Sequence, residues 1–184
     1  DGIWWNWSCN RASPPRAHGR YNLWLALALW NGYRQWGTKA YRDAALRTAV
    51  FYRRAQHLDG VISYRTAPDF RGTAMEPCGS AAAMAALLWM RVQEESFHED
   101  LAEGIRLAVS FLLETQFDEA FPDEQLRGAY FEAMGYRAHG GTAFPRIRDV
   151  ASVFGIQCMA QLLSGLRRGG YDSIDRWISA QAAW

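Results

Sequence analysis

Phe51-Tyr52-Arg53-Arg54-Ala55-Gln56-His57-Leu58-Asp59-Gly60 is the stretch that decides how this chain reads. It returns as Phe111-Leu112-Leu113-Glu114-Thr115-Gln116-Phe117-Asp118-Glu119, and Trp177-Ile178-Ser179-Ala180-Gln181 repeats its first half. Asp1-Gly2 has the form of the same turn without the Gln that precedes it. Asp1, Asp59 and Asp118 thus recur at a period of about sixty residues, and a fixed period of that size marks a repeat architecture. The 184 residues divide into units of approximately 1–58, 59–117 and 118–184.

Each unit predicts two helices of different character. The first is apolar nearly all round: Tyr21–Trp30, Ala81–Met90 and Val150–Leu163. A helix without a polar face is expected to be buried on every side. The second is amphipathic. Tyr41, Ala44, Ala45, Thr48, Ala49 and Tyr52 follow helical spacing, as do Leu101, Ile105, Ala108, Val109, Leu112 and Leu113, and Tyr171, Ile174, Trp177, Ile178 and Gln181 sketch it again. Buried helices alternating with half-buried ones predict two concentric layers. The expected fold is therefore all-α, an α/α toroid (an incomplete α/α barrel) of about three inner and outer helix pairs. Inner-to-outer links are short, at Trp36–Thr38 and Glu94–Asp100, whereas outer-to-inner links run through Asp1–Arg20, Asp59–Ser80 and Asp118–Asp149. The alternation sends all three long links to one end, and loops this long inside a compact domain are usually functional.

The run of an aromatic, an aliphatic, three residues and Gln, then Asp-Gly, resembles the repeat of the squalene cyclase and protein prenyltransferase toroids. Phe111-Leu112 before Gln116 fits best, and Phe51-Tyr52 before Gln56 and Trp177-Ile178 before Gln181 fit more loosely. The same architecture serves α/α-toroid glycosidases, polysaccharide lyases and sugar epimerases. What the resemblance implies is a fold rather than a chemistry. Gly60-Val61-Ile62 lacks the Trp that closes the cyclase repeat, and no Asp-x-Asp-Asp acid motif or Asp-x-Cys zinc motif is present. Toroids of this kind usually hold five to seven helix pairs. With three pairs and no initiator Met, the chain is expected to be a single toroid domain or a fragment of a larger one, completed by the remainder of a longer chain or by a second copy.

Composition narrows the function. A formal net charge of +1 without a basic run argues against nucleic acid. No apolar stretch reaches the roughly 18 residues of a membrane span. Cys9, Cys78 and Cys158 lie far apart, an odd count that is neither a disulfide framework nor a zinc signature and that leans towards a cytoplasmic setting. His18, His57, His98 and His139 are each isolated, so no metal and no cofactor is expected.

The chemistry-bearing residues gather on the long links. Trp4, Trp5, Trp7, His18, Tyr64, Arg65, Arg71, Arg146 and Arg148 form the expected substrate-binding set. Aromatic faces stack on the apolar side of a pyranose, and Arg forks pair bidentately with carboxylates. The partner expected is an acidic, uronate-type poly- or oligosaccharide. Glu76, Glu132 and Asp149, near the starts of inner helices, are the candidate acids and bases for hydrolysis. Tyr130 and His139 are the candidate bases for elimination or epimerisation beside an Arg. Structural readings stand beside these: Asp149 suits a helix N-cap, and the recurrent Asp and Gln suit turns and ties between helices. Trp24, Trp30, Trp36, Trp89, Trp177 and Trp184 suit packing. The expected activity is that of a carbohydrate-active enzyme of lyase, epimerase or hydrolase type. An isoprenoid cyclase or transferase-like toroid and a non-catalytic helical-repeat binding module are the alternatives.

Overall fold

The computed structural model describes residues 3, 16–70, 77–136 and 143–167, with only the backbone of 134–136 and 143–146. The chain is predominantly helical. Helix α1 spans Gly19–Trp36, α2 Lys39–Ala55, α3 Gly79–Gln93, α4 Glu99–Glu114 and α5 Asp149–Arg167. The expected third outer helix, over Tyr171–Gln181, lies outside the described residues.

α3 is the centre. It packs against α1, α2, α4 and α5, and residues 79–90 are all buried. Its run Gly-Ser-Ala-Ala-Ala-Met-Ala-Ala explains why: small side chains let neighbouring helices approach from every direction. α1 pairs with α2 and α4 with α3, each across a short link. Gly37 closes α1 in the left-handed conformation at φ 69°, its N–H donating to the Tyr33 carbonyl, which is the usual glycine stop of a helix. Trp89 Nε1 donates to the Ala49 carbonyl at 3.0 Å, tying α3 to α2. Arg53 Nε donates to the Asp100 carbonyl at 2.7 Å, tying α2 to α4. Gln161 Nε2 donates to Glu94 Oε1 at 2.8 Å, tying α5 to α3.

The recurrent turn residues act alike in two units. Asp59 Oδ1 accepts the Val61 N–H and Asp118 Oδ1 accepts the Ala120 N–H, the same short Asx turn. Gln56 Nε2 donates to the Gly104 carbonyl on α4, and Gln116 Nε2 donates to the Gly128 carbonyl. Gly60 adopts φ 86°, and a Cβ there would run into the Leu107 carbonyl, so no other residue fits that turn.

Three expectations change. α1 and α5 are not buried all round: Trp24 is 51% exposed, and Val153, Ile156 and Leu163 lie open on α5. These flanking helices have α3 on one side only, so their apolar residues exceed the surface available to cover them. Trp30 and Trp89 pack, but Trp36 is 71% exposed at the end of α1. The long links also carry short antiparallel ribbons, β1 (Ala17–His18) with β2 (Arg65–Thr66) and β3 (Phe131–Tyr136) with β4 (Ala143–Ile147). A link that must return along a helix in extended form satisfies its backbone groups by pairing with another extended segment.

α5 is the one helix among the described residues long and apolar enough to cross a membrane. It instead lies along α3 with Ala151, Gly155, Cys158 and Leu162 buried. One such helix is weak support for a span.

Candidate functional site

The starts of α1, α3 and α5 converge on the first residues of β3. A Cβ on Gly79 would collide with the Phe131 carbonyl, so glycine is what lets α3 begin against that strand. The Tyr130 N–H donates to Ser152 Oγ on α5 at 3.2 Å. Two residues on, the Glu132 side chain is 1% exposed and reaches the other two helices. Its Oε2 accepts the Ser80 N–H at 2.9 Å, and its Oε1 accepts the Ser80 hydroxyl at 3.0 Å and Arg20 Nη1 at 3.2 Å. The carboxylate thus closes the positive end of α3 and pairs with the first turn of α1. Cys78 Sγ donates to the same oxygen at 3.8 Å. Burial, with Glu132 beside it, pushes the Cys78 thiol up to about 12. It stays protonated at neutral pH and is no nucleophile.

Above this buried cluster lies a ring platform. The His18 ring stands 4.2 Å from both the Tyr21 and the Tyr64 rings. The Arg20 guanidinium sits 5.0 Å from the Tyr21 centroid and 6.0 Å from that of Tyr64. The ribbon β1–β2 sets the arrangement: His18 is paired with Arg65, and the Gly19 N–H donates to the Tyr64 carbonyl at 3.0 Å. Asn22 Nδ2 donates to the His18 carbonyl, fixing the turn into α1. Burial first, then the charges of Arg20 and Arg65, lowers His18 to about 4. Burial opposes the charge on Arg20, but the Tyr21 hydroxyl, Tyr64 and Glu132 outweigh it and hold the guanidinium above its ordinary value.

The sequence-derived candidates separate on this frame. His18, Tyr64 and Arg65 come together, and Glu132 lies beneath them through Arg20. Tyr130 is buried with its ring against Gly155, and burial and nearby Cys158 raise its hydroxyl above the ordinary range. Asp149 is exposed at the start of α5, where its Oδ1 accepts the Val150 N–H at 2.8 Å. Arg148 is exposed beside it. Arg146 lies on β4, of which the backbone alone is described. Trp4, Trp5, Trp7, Arg71, Glu76 and His139 lie outside the described residues. Two members stand outside the expected substrate-binding and catalytic sets, Tyr21 and Arg20, the latter on the first long link. Their signal was position, since both lie in the first turn of α1, where the long link ends. Among the described residues no group of three His, Cys, Asp or Glu is placed to hold a metal ion.

No protein-family model, no curated protein and no solved structure matches the chain.

Proposed function

We propose that the chain is an arc of an α/α toroid whose His18–Tyr21–Tyr64–Arg65 platform holds an acidic saccharide of the uronate type. The order of neighbours supports the arc: α1, α3 and α5 lie side by side, with α2 and α4 joined to them by short links. One observation carries the saccharide, namely three rings meeting with guanidiniums beside them at the end where the inner helices begin. A pyranose lays its apolar face on such rings. Its carboxylate takes an Arg fork, and Arg65 is the exposed one. Arg20, held by Glu132, positions the rings.

Elimination or epimerisation suits this arrangement best. Both need a cation on the uronate carboxylate, which acidifies the proton at the adjacent carbon, and a base to remove it. His18, half-buried and neutral at pH 7, is the base that this reading assigns. In elimination that proton leaves to the base, the glycosidic C–O bond on the neighbouring carbon breaks as a C=C bond forms in the ring, and the departing oxygen takes a proton from water. Among the described candidate acids hydrolysis between two carboxylates is poorly served, because Glu132 is sealed against α3 while Asp149 is turned to its own backbone. That separation favours a second reading, a module that binds the saccharide without turning it over.

Incubation with polyuronates decides among these. Ultraviolet absorbance of an unsaturated product reports elimination, and solvent deuterium in recovered sugar reports epimerisation. Binding without either supports the module. Absence of binding and of turnover removes the saccharide reading altogether.

A further inference from the structure

The ring platform stands where α1 and α3 begin, and the short links between helices turn at the opposite end. Helix α1 runs 18 residues, about 27 Å, from one end to the other. Glu95 ties the two links into one surface. Its Oε1 accepts the Tyr33 hydroxyl of α1 at 2.6 Å, and its Oε2 accepts Arg42 Nε of α2 at 2.8 Å. Each link holds one large ring in water, since Trp36 and Phe97 are each 71% exposed. The Trp36 ring meets Tyr41, itself exposed, edge to face. A lone exposed apolar side chain is ordinary. Two such rings on adjoining, otherwise polar links form a patch of the kind enriched in protein interfaces.

The two links differ in charge. Residues 34–41 hold Arg34 and Lys39 and no acid, whereas residues 94–100 hold four acids and no Lys or Arg. Within the chain Arg42 takes Glu95 and Arg53 takes Asp100. Lys39 and Glu99 are exposed and join no ion pair among the described residues. The helix starts differ in the same sense. α4 has Glu99 and Asp100 in its first turn, where an acid suits the positive end of the helix. α2 has Lys39 there and no acid, and its N-cap Thr38 makes no side-chain hydrogen bond. One link lacks the anion that the other has in surplus.

We propose that this end docks a second copy of the chain about a two-fold axis, the α1–α2 link of each copy covering the α3–α4 link of the other. Trp36 of each copy packs on Phe97 of the other, and Lys39 of each reaches Glu99 of the other. A two-fold interface makes every contact twice with its sides exchanged, so it needs complementary features on one surface. A positive link and a negative link at the same end supply them, whereas a partner of a single charge sign would be repelled by half of that surface. Both platforms point away from such an interface and stay open, so the proposal does not depend on what the platform holds.

Sedimentation velocity tests this on the whole chain in low salt, between about 1 and 500 µM. A monomer–dimer equilibrium with no larger species is expected. Lys39→Glu and Glu99→Lys, their helicity checked by circular dichroism, should each weaken the dimer at least tenfold. Mixed in equal amounts, the two variants should associate as tightly as the unchanged chain, because one ion pair is kept and the other re-forms with its signs reversed. Trp36→Ser should weaken the dimer several-fold. A chain monomeric throughout, assembly beyond the dimer, a dimer unmoved by either charge change or by Trp36→Ser, or a mixture no tighter than its single variants each overturns the proposal.

Discussion

α3 and α5 both follow a long link, both begin beside β3 and both have a carboxylate near their first turn, yet the two starts are built differently. At α3 the carboxylate is Glu132, brought from a strand about fifty residues downstream, buried, and bonded to Ser80 and Arg20. At α5 it is Asp149, the helix's own first residue, exposed and bonded to the next N–H along. The first joins three segments, while the second touches only its own helix. Equivalent positions in a repeat thus do unequal work, and what separates them is burial. An ion pair taken out of water is costly to leave half-made, whereas an acid in water near a helix start contributes a few tenths to one kcal/mol.

Removing Glu132 should have the largest effect. Glu132→Ala leaves Arg20 buried without its partner and is expected to destabilise the fold by roughly 3–5 kcal/mol, read as a lower midpoint in urea unfolding. Next comes the body of the two helices. Leu88→Ala on α3 opens a cavity at a fully buried site and should cost about 2–5 kcal/mol. Leu163→Ala on α5, more than half exposed, should stay within about 0.5 kcal/mol, the range of an ordinary surface change. If the two leucines cost the same, α5 is as enclosed as α3 and the contrast fails. Asp149→Ala should cost no more than about 1 kcal/mol at low salt and less at high salt.

The pH dependence sharpens the same contrast at α1. His18 binds its proton near pH 4 in the folded chain and near its ordinary 6.5 when unfolded. Between those values the unfolded state carries more protons, so stability should fall as pH drops from about 6.5 towards 4 and be fully present above. His18→Phe should flatten that part of the profile in thermal unfolding measured at stepped pH, and an unchanged slope would mean the ring is solvated.

The helices were legible because their signals are local. The repeat of Phe51-Tyr52 to Gln56 as Phe111-Leu112 to Gln116 places the ends of α2 and α4, and the apolar run through Ala81–Met90 marks a helix with no wet side. The ribbons were not legible, since the strands Ala17–His18 and Arg65–Thr66 are two residues long and gain their identity only by meeting. The platform was half legible: His18, Tyr64 and Arg65 stood out on loops, whereas Arg20 and Tyr21 carry only their place in the first turn of α1 as a signal. The role of Glu132 depends on a contact 52 residues away with Ser80, and its type and loop position suggest catalysis, whereas its burial makes it a tie between helices.

The proposed function stands or falls on the rings and Arg65 holding an anionic sugar. Titration calorimetry with an oligouronate, set against the same oligosaccharide with its carboxylates reduced to alcohols, tests it most directly. The uronate should bind, the reduced sugar should bind at least tenfold more weakly, and Arg65→Ala should abolish that difference. Equal affinity for the two sugars, or a preference that survives Arg65→Ala, would contradict it.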